Sequence, residues 1–428
     1  MRNLIRMSIL FSLAMFVFSC DNDDDNNDPV VPTLDIPETY DFNRNGESTV
    51  SFSGQVTRLS QSELLYDALN EETSFDDLDA MFNGVETPDG QVSAGFSDES
   101  LNGTSKIIGQ KTSSSTLQGS AVDKAYFNSM IEEYANVVVP AFNDDAVAGA
   151  PGYVTGASGS SYRLNAAGQE LDQLFFKGLI GAFTLDQIVN NYLHPNQLDT
   201  SENVANNDND VLDGDNNYTK MEHKWDEGFG YLYGHLYEDG NGEDLVTAGS
   251  APSGNGDLLM KYFKKVNSGA QPGIGQTVYD AFIAGRTAIV NKDYAERDAQ
   301  ADIIQVELSK VIGYYAIYYM NDYVTKLANE DVGGAHHSLS EAWGFLFSLK
   351  YTNDGMDETF MIEGGVPSLD HFLGVNLIPN APEYMSDFHG MANKLYALTD
   401  PYNADNPSQS GMIALVEKAF ADKGHPLN

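Results

Sequence analysis

Cysteine is almost absent from this chain: Cys20 is the single one among 428 residues. One cysteine cannot close an intramolecular disulfide, and with Cys20 modified no thiol is left for catalysis. Cys20 comes directly after the residues VFS and a short apolar stretch that follows Arg2. A positive start, a short apolar core and a cysteine in this place are typical of a bacterial lipoprotein signal. We predict that residues 1–19 are the signal peptide and that Cys20 is lipidated; an ordinary secretory signal is the alternative.

Basic residues are also scarce. The chain has 23 Lys and Arg against 63 Asp and Glu, which gives a formal net charge of −40. A polyanion of this size repels nucleic acid and anionic membrane surfaces, so nucleic-acid binding is excluded. Beyond the signal no apolar stretch is long enough to span a bilayer. We therefore expect the protein to meet the membrane through its lipid anchor only.

Residues 20–37 read CDNDDDNNDPVVPTLDIP, an acidic run followed by spaced prolines. Such a composition cannot bury a core, and we expect it to stay extended as a disordered tether. An acidic run behind a lipidated cysteine resembles the tag by which some bacteria send lipoproteins to the outer face of the outer membrane. We predict an outer-membrane lipoprotein exposed at the cell surface, with the periplasmic face as the alternative.

The rest of the chain, residues 38–428, is predicted to be helical. Apolar residues recur there at spacings of three and four, the pattern of amphipathic helices. The exception is Tyr40–Thr57, where Asn45-Gly46 is a turn signal and apolar residues alternate around it. This stretch predicts a short N-terminal β-hairpin. The fold class expected from these patterns is all-α with one short hairpin.

Two halves, at about 60–240 and 257–428, repeat the same order of segments. Each has a long apolar helix (168–193 and 300–327), then a loop, then a helix in which a histidine precedes a glutamate by four residues. Each long helix also holds a glycine, a residue that usually weakens a helix by about 1 kcal/mol and so suggests close helix packing. We predict a duplicated helical bundle of two pseudo-symmetric halves.

The two histidine–glutamate pairs are His223 with Glu227, and His337 with Glu341. Residues four apart on a helix share a face, with Cβ atoms about 5–6 Å apart. If the halves pack around a pseudo-dyad, the four side chains converge on one cavity. Mixed histidine and carboxylate ligands suit zinc or iron. These four residues are the predicted metal or ligand site, and the alternative is that each pair only holds helices in register.

Four further side chains are candidates for the lining of that pocket. Trp225 and Trp343, the two tryptophans of the chain, each lie inside one of the histidine–glutamate motifs. Lys177 and Lys310 each lie within a long apolar helix. A buried amine there would pair with an acid or meet an anionic ligand, and the alternative is that its ammonium group reaches solvent.

Other site signals are weaker or missing. The stretch Asn206–Glu227 is rich in Asp and Asn and is a candidate calcium loop, although it fails the twelve-position spacing; a solvated loop is the alternative. The chain has no His-Glu-x-x-His motif, no Gly-x-Ser-x-Gly elbow, no phosphate-binding Gly-x4-Gly-Lys loop and no dinucleotide fingerprint after a strand. Hydrolysis by a common motif is therefore unsupported.

Two stretches carry a resemblance to known families. YDFNRNGESTVSFSGQVTRL at Tyr40–Leu59, with GGAHHSLSEAWGFLFSLKY at Gly333–Tyr351, resembles a lipoprotein family known as a domain of unknown function (number 4856), over essentially the whole mature chain. That family is similar to the imelysin-like proteins, duplicated all-helical folds described as peptidases and linked to iron uptake at bacterial envelopes. Their hallmark is a glycine, one residue, a histidine, two residues and a glutamate. Here His336 fits its first half, and Glu341 comes two places late.

Three functions follow as hypotheses. The first is a surface-exposed, lipid-anchored helical binding protein, without enzymatic activity, for a metal or an iron-bearing ligand at the interface of the repeats. The second is a metal-dependent peptidase of imelysin type, for which Glu227 or Glu341 would be the general base. The third is a non-enzymatic partner of an outer-membrane transporter, in which both pairs are structural.

Overall fold

The structure of the protein is a computed structural model that describes residues 35–147, 149–238, 258–360, 398–405 and 410–427. The described residues all belong to one compact unit. Cys20, the predicted signal peptide and nearly all of the predicted tether lie outside the described residues. Within the described ranges, none of the helices has the length and apolar character that crossing a bilayer requires.

Helices make up most of the described fold, as predicted. They are α1 (Ser53–Ala68), α2 (Phe75–Asn83), α3 (Ile108–Lys111), α4 (Ala121–Glu133), α5 (Leu171–Leu179), α6 (Pro195–Leu198), α7 (Asn203–Asp208), α8 (Lys220–Glu238), α9 (Leu258–Ser268), α10 (Ile274–Val290), α11 (Tyr294–Ala328), α12 (Val332–Ser348) and α13 (Met412–Asp422). The all-α prediction is confirmed.

The strands of the described residues form three separate antiparallel hairpins. They pair β1 (Asn43–Arg44) with β2 (Glu47–Ser48), β3 (Val85–Glu86) with β4 (Val92–Ser93), and β5 (Gly152–Thr155) with β6 (Ser161–Leu164). The first is the predicted N-terminal hairpin. Its turn is Asn45-Gly46, with φ of 56° and 86°, the left-handed values that favour Asn-Gly in two-residue hairpin turns.

Helix α12 packs against α11 and α5 and is buried along most of its length. Asp331 caps its start by accepting a hydrogen bond from Gly334 N at 3.0 Å, and also accepts one from Ala157 N of the β5–β6 turn at 2.8 Å. A Cβ atom at Gly344 would lie only 2.4 Å from Lys177 Cβ on α5. Glycine at this position therefore sets how closely α12 and α5 approach.

The two predicted long apolar helices differ in the structure. The second is α11, one continuous helix of 35 residues. The first begins as α5 and continues as two π-helical turns, Ile180–Leu185 and Ile188–Tyr192. Ser348 supports the wider turn, because its hydroxyl donates to Lys177 O at 2.7 Å and accepts from Gly181 N at 3.0 Å. A side chain from another helix thus satisfies backbone groups here, a feature that helical periodicity does not reveal.

The glycines of the two long helices also have different partners. A Cβ atom at Gly178 would touch Phe127 and Phe347 at an ordinary 3.4 Å, whereas one at Gly313 would clash with Phe420 of α13 at 2.7 Å. The close approach predicted for Gly313 is therefore made with the C-terminal helix. The duplication of the two halves stays a prediction.

Candidate functional site

His337 on α12 lies between two carboxylates. Its Nδ1 is 2.6 Å from Glu170 Oε2 and its Nε2 is 3.3 Å from Glu341 Oε2. The other oxygen of Glu341 is 3.3 Å from Lys177 Nζ on α5. We call these four residues the His337 cluster. The predicted pair of His337 and Glu341 is thus joined by Lys177, which was predicted, and by Glu170, which was not.

The start of α5 brings Glu170 to the cluster. Glu170 directly precedes this helix, and its backbone N–H donates to Ser340 Oγ on α12 at 2.9 Å. Lys177 lies two turns further along α5 and donates to Gln173 Oε1 at 2.8 Å, and Gln173 Nε2 donates to Asp172 Oδ2 at 2.6 Å. A row of buried polar side chains therefore runs from His337 into the bundle.

His337 is the most exposed side chain of the cluster. The His337 side chain is 24% exposed, against 8% for Glu170 and 7% for Glu341. The ring of Tyr162 on β6 stacks on the imidazole with centroids 4.7 Å apart. On the inner side, Lys177 Nζ lies 5.6 Å from the centre of the Tyr262 ring. The acids are thus enclosed, and the imidazole lies between them and solvent.

Burial and neighbouring charges shift the protonation of this group. Burial raises the pKa of Glu170, although the hydrogen bond from His337 opposes the shift. Burial, helped by the charge of Glu170, raises the pKa of Asp172 to about 8. Burial lowers the pKa of His337, but the hydrogen bond to Glu170 and the charges of Glu170 and Glu341 outweigh it, so the net shift is upward. The imidazole therefore tends to keep its proton between the two acids.

We expect Asp172→Asn to flatten the dependence of stability on pH. The pKa of Asp172 rises from the usual 3.8 to about 8 on folding, so between these values the folded protein keeps a proton that the unfolded chain has lost. The contribution of Asp172 to the free energy of unfolding therefore falls as the pH rises through this window. Asparagine keeps an acceptor for Gln173 and cannot ionise. Melting temperatures at pH 5, 7 and 9 measure the effect, and parallel curves for the two proteins would contradict it.

The other predicted pair, His223 and Glu227 on α8, has different partners. Glu227 Oε2 is 2.5 Å from Lys224 Nζ, and Glu227 Oε1 accepts from Gln55 Nε2 at 3.1 Å. The His223 ring packs on Tyr218 with centroids 4.5 Å apart. Burial lowers the pKa of His223, even though the charge of Glu227 opposes the shift. The contacts therefore place the two histidine–glutamate pairs in two separate clusters.

No preformed ligand sphere was found in the described part of the chain. In residues 35–147, 149–238, 258–360, 398–405 and 410–427, no group of three or more His, Cys, Asp or Glu side chains is arranged to hold a metal ion. No hydrogen bond or ion pair between described residues joins the pair at His223 to the pair at His337. Convergence of all four on one metal ion therefore stays a prediction that these contacts do not support.

The other predicted pocket residues differ from one another in their contacts. Trp225 is fully buried, and its Nε1 donates to Phe282 O at 3.0 Å, which makes it a core residue. Trp343 is also buried, at 8% exposure. Lys310 pairs with Glu307 of its own helix at 2.7 Å, whereas Lys177 reaches the His337 cluster. The resemblance of the two lysines in sequence does not extend to their contacts.

The Asp/Asn-rich stretch is part of the folded structure. Asp208 accepts from the Tyr294 hydroxyl at 2.6 Å, and Asp210 pairs with Lys292 at 2.6 Å. Asn217 Nδ2 donates to Arg44 O of the N-terminal hairpin at 3.1 Å. These side chains bond to other parts of the protein, and calcium binding here stays a prediction.

Sequence reasoning missed a second group of charges, beside His223 and Glu227 on α8. Arg286 of α10 is completely buried; its Nη1 is 3.0 Å from Glu222 Oε1 and its Nε is 3.0 Å from Asp226 Oδ1. Arg44 makes a two-pronged pair with Glu222, both contacts at 3.0 Å. The Tyr40 hydroxyl donates to Asp226 at 2.6 Å. We call these five residues the Arg286 network.

The Arg286 network fastens the N-terminal hairpin to the helices. It joins Tyr40 and Arg44, on either side of the start of β1, to α8 and α10. Burial raises the pKa of Asp226 to about 6, and the charge of Arg286 opposes the shift. A signal was available in the sequence, because Glu222 and Asp226 are four apart and so share a helix face.

The part of the sequence that contains the His337 cluster and the Arg286 network also identifies the family. A family model described as "Domain of unknown function (DUF4856)" matches residues 37–370. No curated protein and no solved structure matches the chain. Since the match covers well over half of the sequence, the chain belongs to the DUF4856 family.

Proposed function

We propose that the protein is a lipid-anchored binding protein of the bacterial outer membrane, which holds a divalent metal ion or a compound that carries one at the His337 cluster. The observation that carries this proposal is the position of His337, with one nitrogen facing Glu170, the other facing Glu341 and a side chain partly open to solvent. Imidazole and carboxylate together are the donor types that zinc and iron accept.

The cost of burying the cluster supports a role beyond stability. Glu170, Glu341 and Lys177 are all buried, and removing ionisable groups from water costs several kcal/mol for each ion, which pairing offsets only in part. Apolar side chains could stabilise the contact between α5 and α12 without this cost. Ionisable groups in such an arrangement, at a partly open edge, are candidates for a functional site.

A metal would replace cations that now hold the carboxylates. Glu170 faces His337, and Glu341 faces both His337 and Lys177. The described residues contain no preformed ligand group, so binding requires the imidazole to give up its proton and these side chains to rearrange. The lipid anchor at Cys20 and the outer-membrane location are parts of the same proposal.

Metal retention in matched variants tests the proposal. Full-length protein is incubated with iron(II) or zinc(II), dialysed and examined by elemental analysis. We expect the wild type to retain metal and His337→Ala to lose it. His223→Ala, the same change in the other histidine–glutamate pair, is the control and should retain metal.

Two results would overturn the proposal. One is a wild-type protein that retains neither metal, and the other is equal retention by wild type and His337→Ala. Loss of metal in His223→Ala as well would contradict a site built by the His337 cluster alone. Circular dichroism of each variant establishes that the fold survives the substitution.

A further inference from the structure

The pair His223–Glu227 lies among basic side chains, which are scarce in this acidic protein. Lys224 pairs with Glu227 at 2.5 Å. Lys111 of α3 has its Nζ 3.3 Å from the Tyr192 hydroxyl, and the ammonium groups of Lys111 and Lys224 lie 5.5 and 5.3 Å from the centre of the same Tyr192 ring. Two lysines and one glutamate therefore surround one tyrosine.

Arg58 of α1 brings a third positive charge to this place. Burial lowers the pKa of Lys111, and the nearby charges of Arg58 and Lys224 lower it further, while Glu227 opposes them. The side chain of Arg58 also reaches the buried hydroxyl of Tyr231, and the centroid of the Tyr231 ring lies 5.8 Å from that of Tyr192. We call Arg58, Lys111, Tyr192, Lys224, Glu227 and Tyr231 the Lys111 cluster. It combines three cations with one carboxylate, a net positive charge.

The cluster has a buried floor and a partly exposed rim. Arg58 is 6% exposed and Tyr231 is 1% exposed. At the rim the side chains of Lys224 and Glu227 are 18% and 14% exposed. Positive groups that are partly removed from water in this way interact strongly with an anion, since the low local dielectric reduces screening.

One buried hydroxyl on the floor of the cluster lacks an acceptor. Arg58 uses its Nη1 and Nη2 groups on the carbonyls of Gly54 and Ser105. Its Nε and the Tyr231 hydroxyl are both buried and have no other hydrogen-bond partner in the described part of the chain. The guanidinium faces the Tyr231 oxygen, which can accept from it, so the O–H of Tyr231 is left without an acceptor. A buried donor without an acceptor destabilises the fold, because it has lost its hydrogen bond to water. What the site lacks is an acceptor with negative charge.

We propose that the Lys111 cluster is a binding site for a small oxyanion, a phosphate or carboxylate group held by Arg58, Tyr231, Lys111 and Lys224. Arginine and lysine are the usual partners of such groups, and charge-assisted hydrogen bonds are roughly twice as strong as neutral ones. Glu227 is the counter-charge that holds the cations in the absence of the anion. The site shares no residue with the His337 cluster and is independent of the metal proposal.

Titration calorimetry of the full-length protein with inorganic phosphate, and separately with acetate, tests the site at constant ionic strength. We expect binding of at least one of them; preference between the two identifies the oxyanion. Tyr231→Phe removes one hydroxyl only and should weaken binding about tenfold. Lys111→Met should weaken it by at least as much. Glu227→Gln should tighten it, because the competing negative charge is removed while the three cations remain.

The control is Lys310→Met, which removes a lysine from α11 and should bind like the wild type. The absence of binding of both phosphate and acetate to the wild type would overturn the proposal. So would unchanged affinity in both Tyr231→Phe and Lys111→Met, which would mean that the anion does not bind at these residues. Weaker binding in Glu227→Gln, with the fold intact by circular dichroism, would equally contradict it.

Discussion

Replacing Arg286 by alanine should lower the free energy of unfolding by about 3–5 kcal/mol, the usual cost of removing one partner from a buried ion pair. Arg286 is fully buried and faces both Glu222 and Asp226, which are also buried. Without the guanidinium, two carboxylates remain in the interior with a single cation, Arg44, at their edge. One of them must take up a proton, or water must enter the core.

Urea unfolding measures this change, and Arg297→Ala is the matched control. Arg297 is as deeply buried as Arg286, but its acidic partners Asp199 and Asp298 are 41% and 43% exposed. Water solvates those carboxylates once the arginine is gone, so we expect a clearly smaller decrease in the free energy of unfolding. Equal losses in the two variants would mean that burial of the arginine, and not that of its partners, sets the cost.

Lys177→Met should have an effect of similar size, about 3–5 kcal/mol. Methionine fills a similar volume, so the loss comes mainly from Glu341, which is left buried with His337 as its remaining ionic partner. The double change of Lys177→Met with Glu341→Gln removes both charges and should recover part of the stability. A double-mutant cycle on these two residues gives the coupling directly.

The control for Lys177 is Lys310→Met, because the sequence presents these lysines as equivalent. Lys310 pairs with Glu307 one turn away on the same helix, a contact worth about 0.2–0.5 kcal/mol. We therefore expect Lys310→Met to lower the free energy of unfolding only slightly. A loss in Lys177→Met no larger than that in Lys310→Met would contradict the importance assigned to the buried pair.

Local patterns predicted the local structure well. The apolar spacing at 300–327 predicted α11, and Asn45-Gly46 predicted the turn of the N-terminal hairpin. The spacing at 168–193 predicted a continuous helix, but π-helical turns follow Leu179. Helical periodicity and turn chemistry depend on neighbouring residues, so they can be recognised in a single sequence.

The sites depend on distant residues and were predicted only in part. His337 and Glu341 are four apart and were recognised, but Glu170 is 167 positions from His337. Arg286 was missed for the same reason: its partners Glu222 and Asp226 lie more than fifty positions away. A charged residue in an apolar helix has the same local pattern whether it is buried or reaches solvent. Its partners decide between these outcomes, and the pattern does not contain them.

The contacts of Tyr40 and Arg44 have a mechanical consequence. Tension applied to the chain ahead of Asp35 reaches the folded unit at this point, where Tyr40 is bonded to Asp226 and Arg44 to Glu222. These contacts, in the interior or at its edge, must rupture before α1 can be pulled out. The described fold is therefore held at its N-terminal edge against tension from that side.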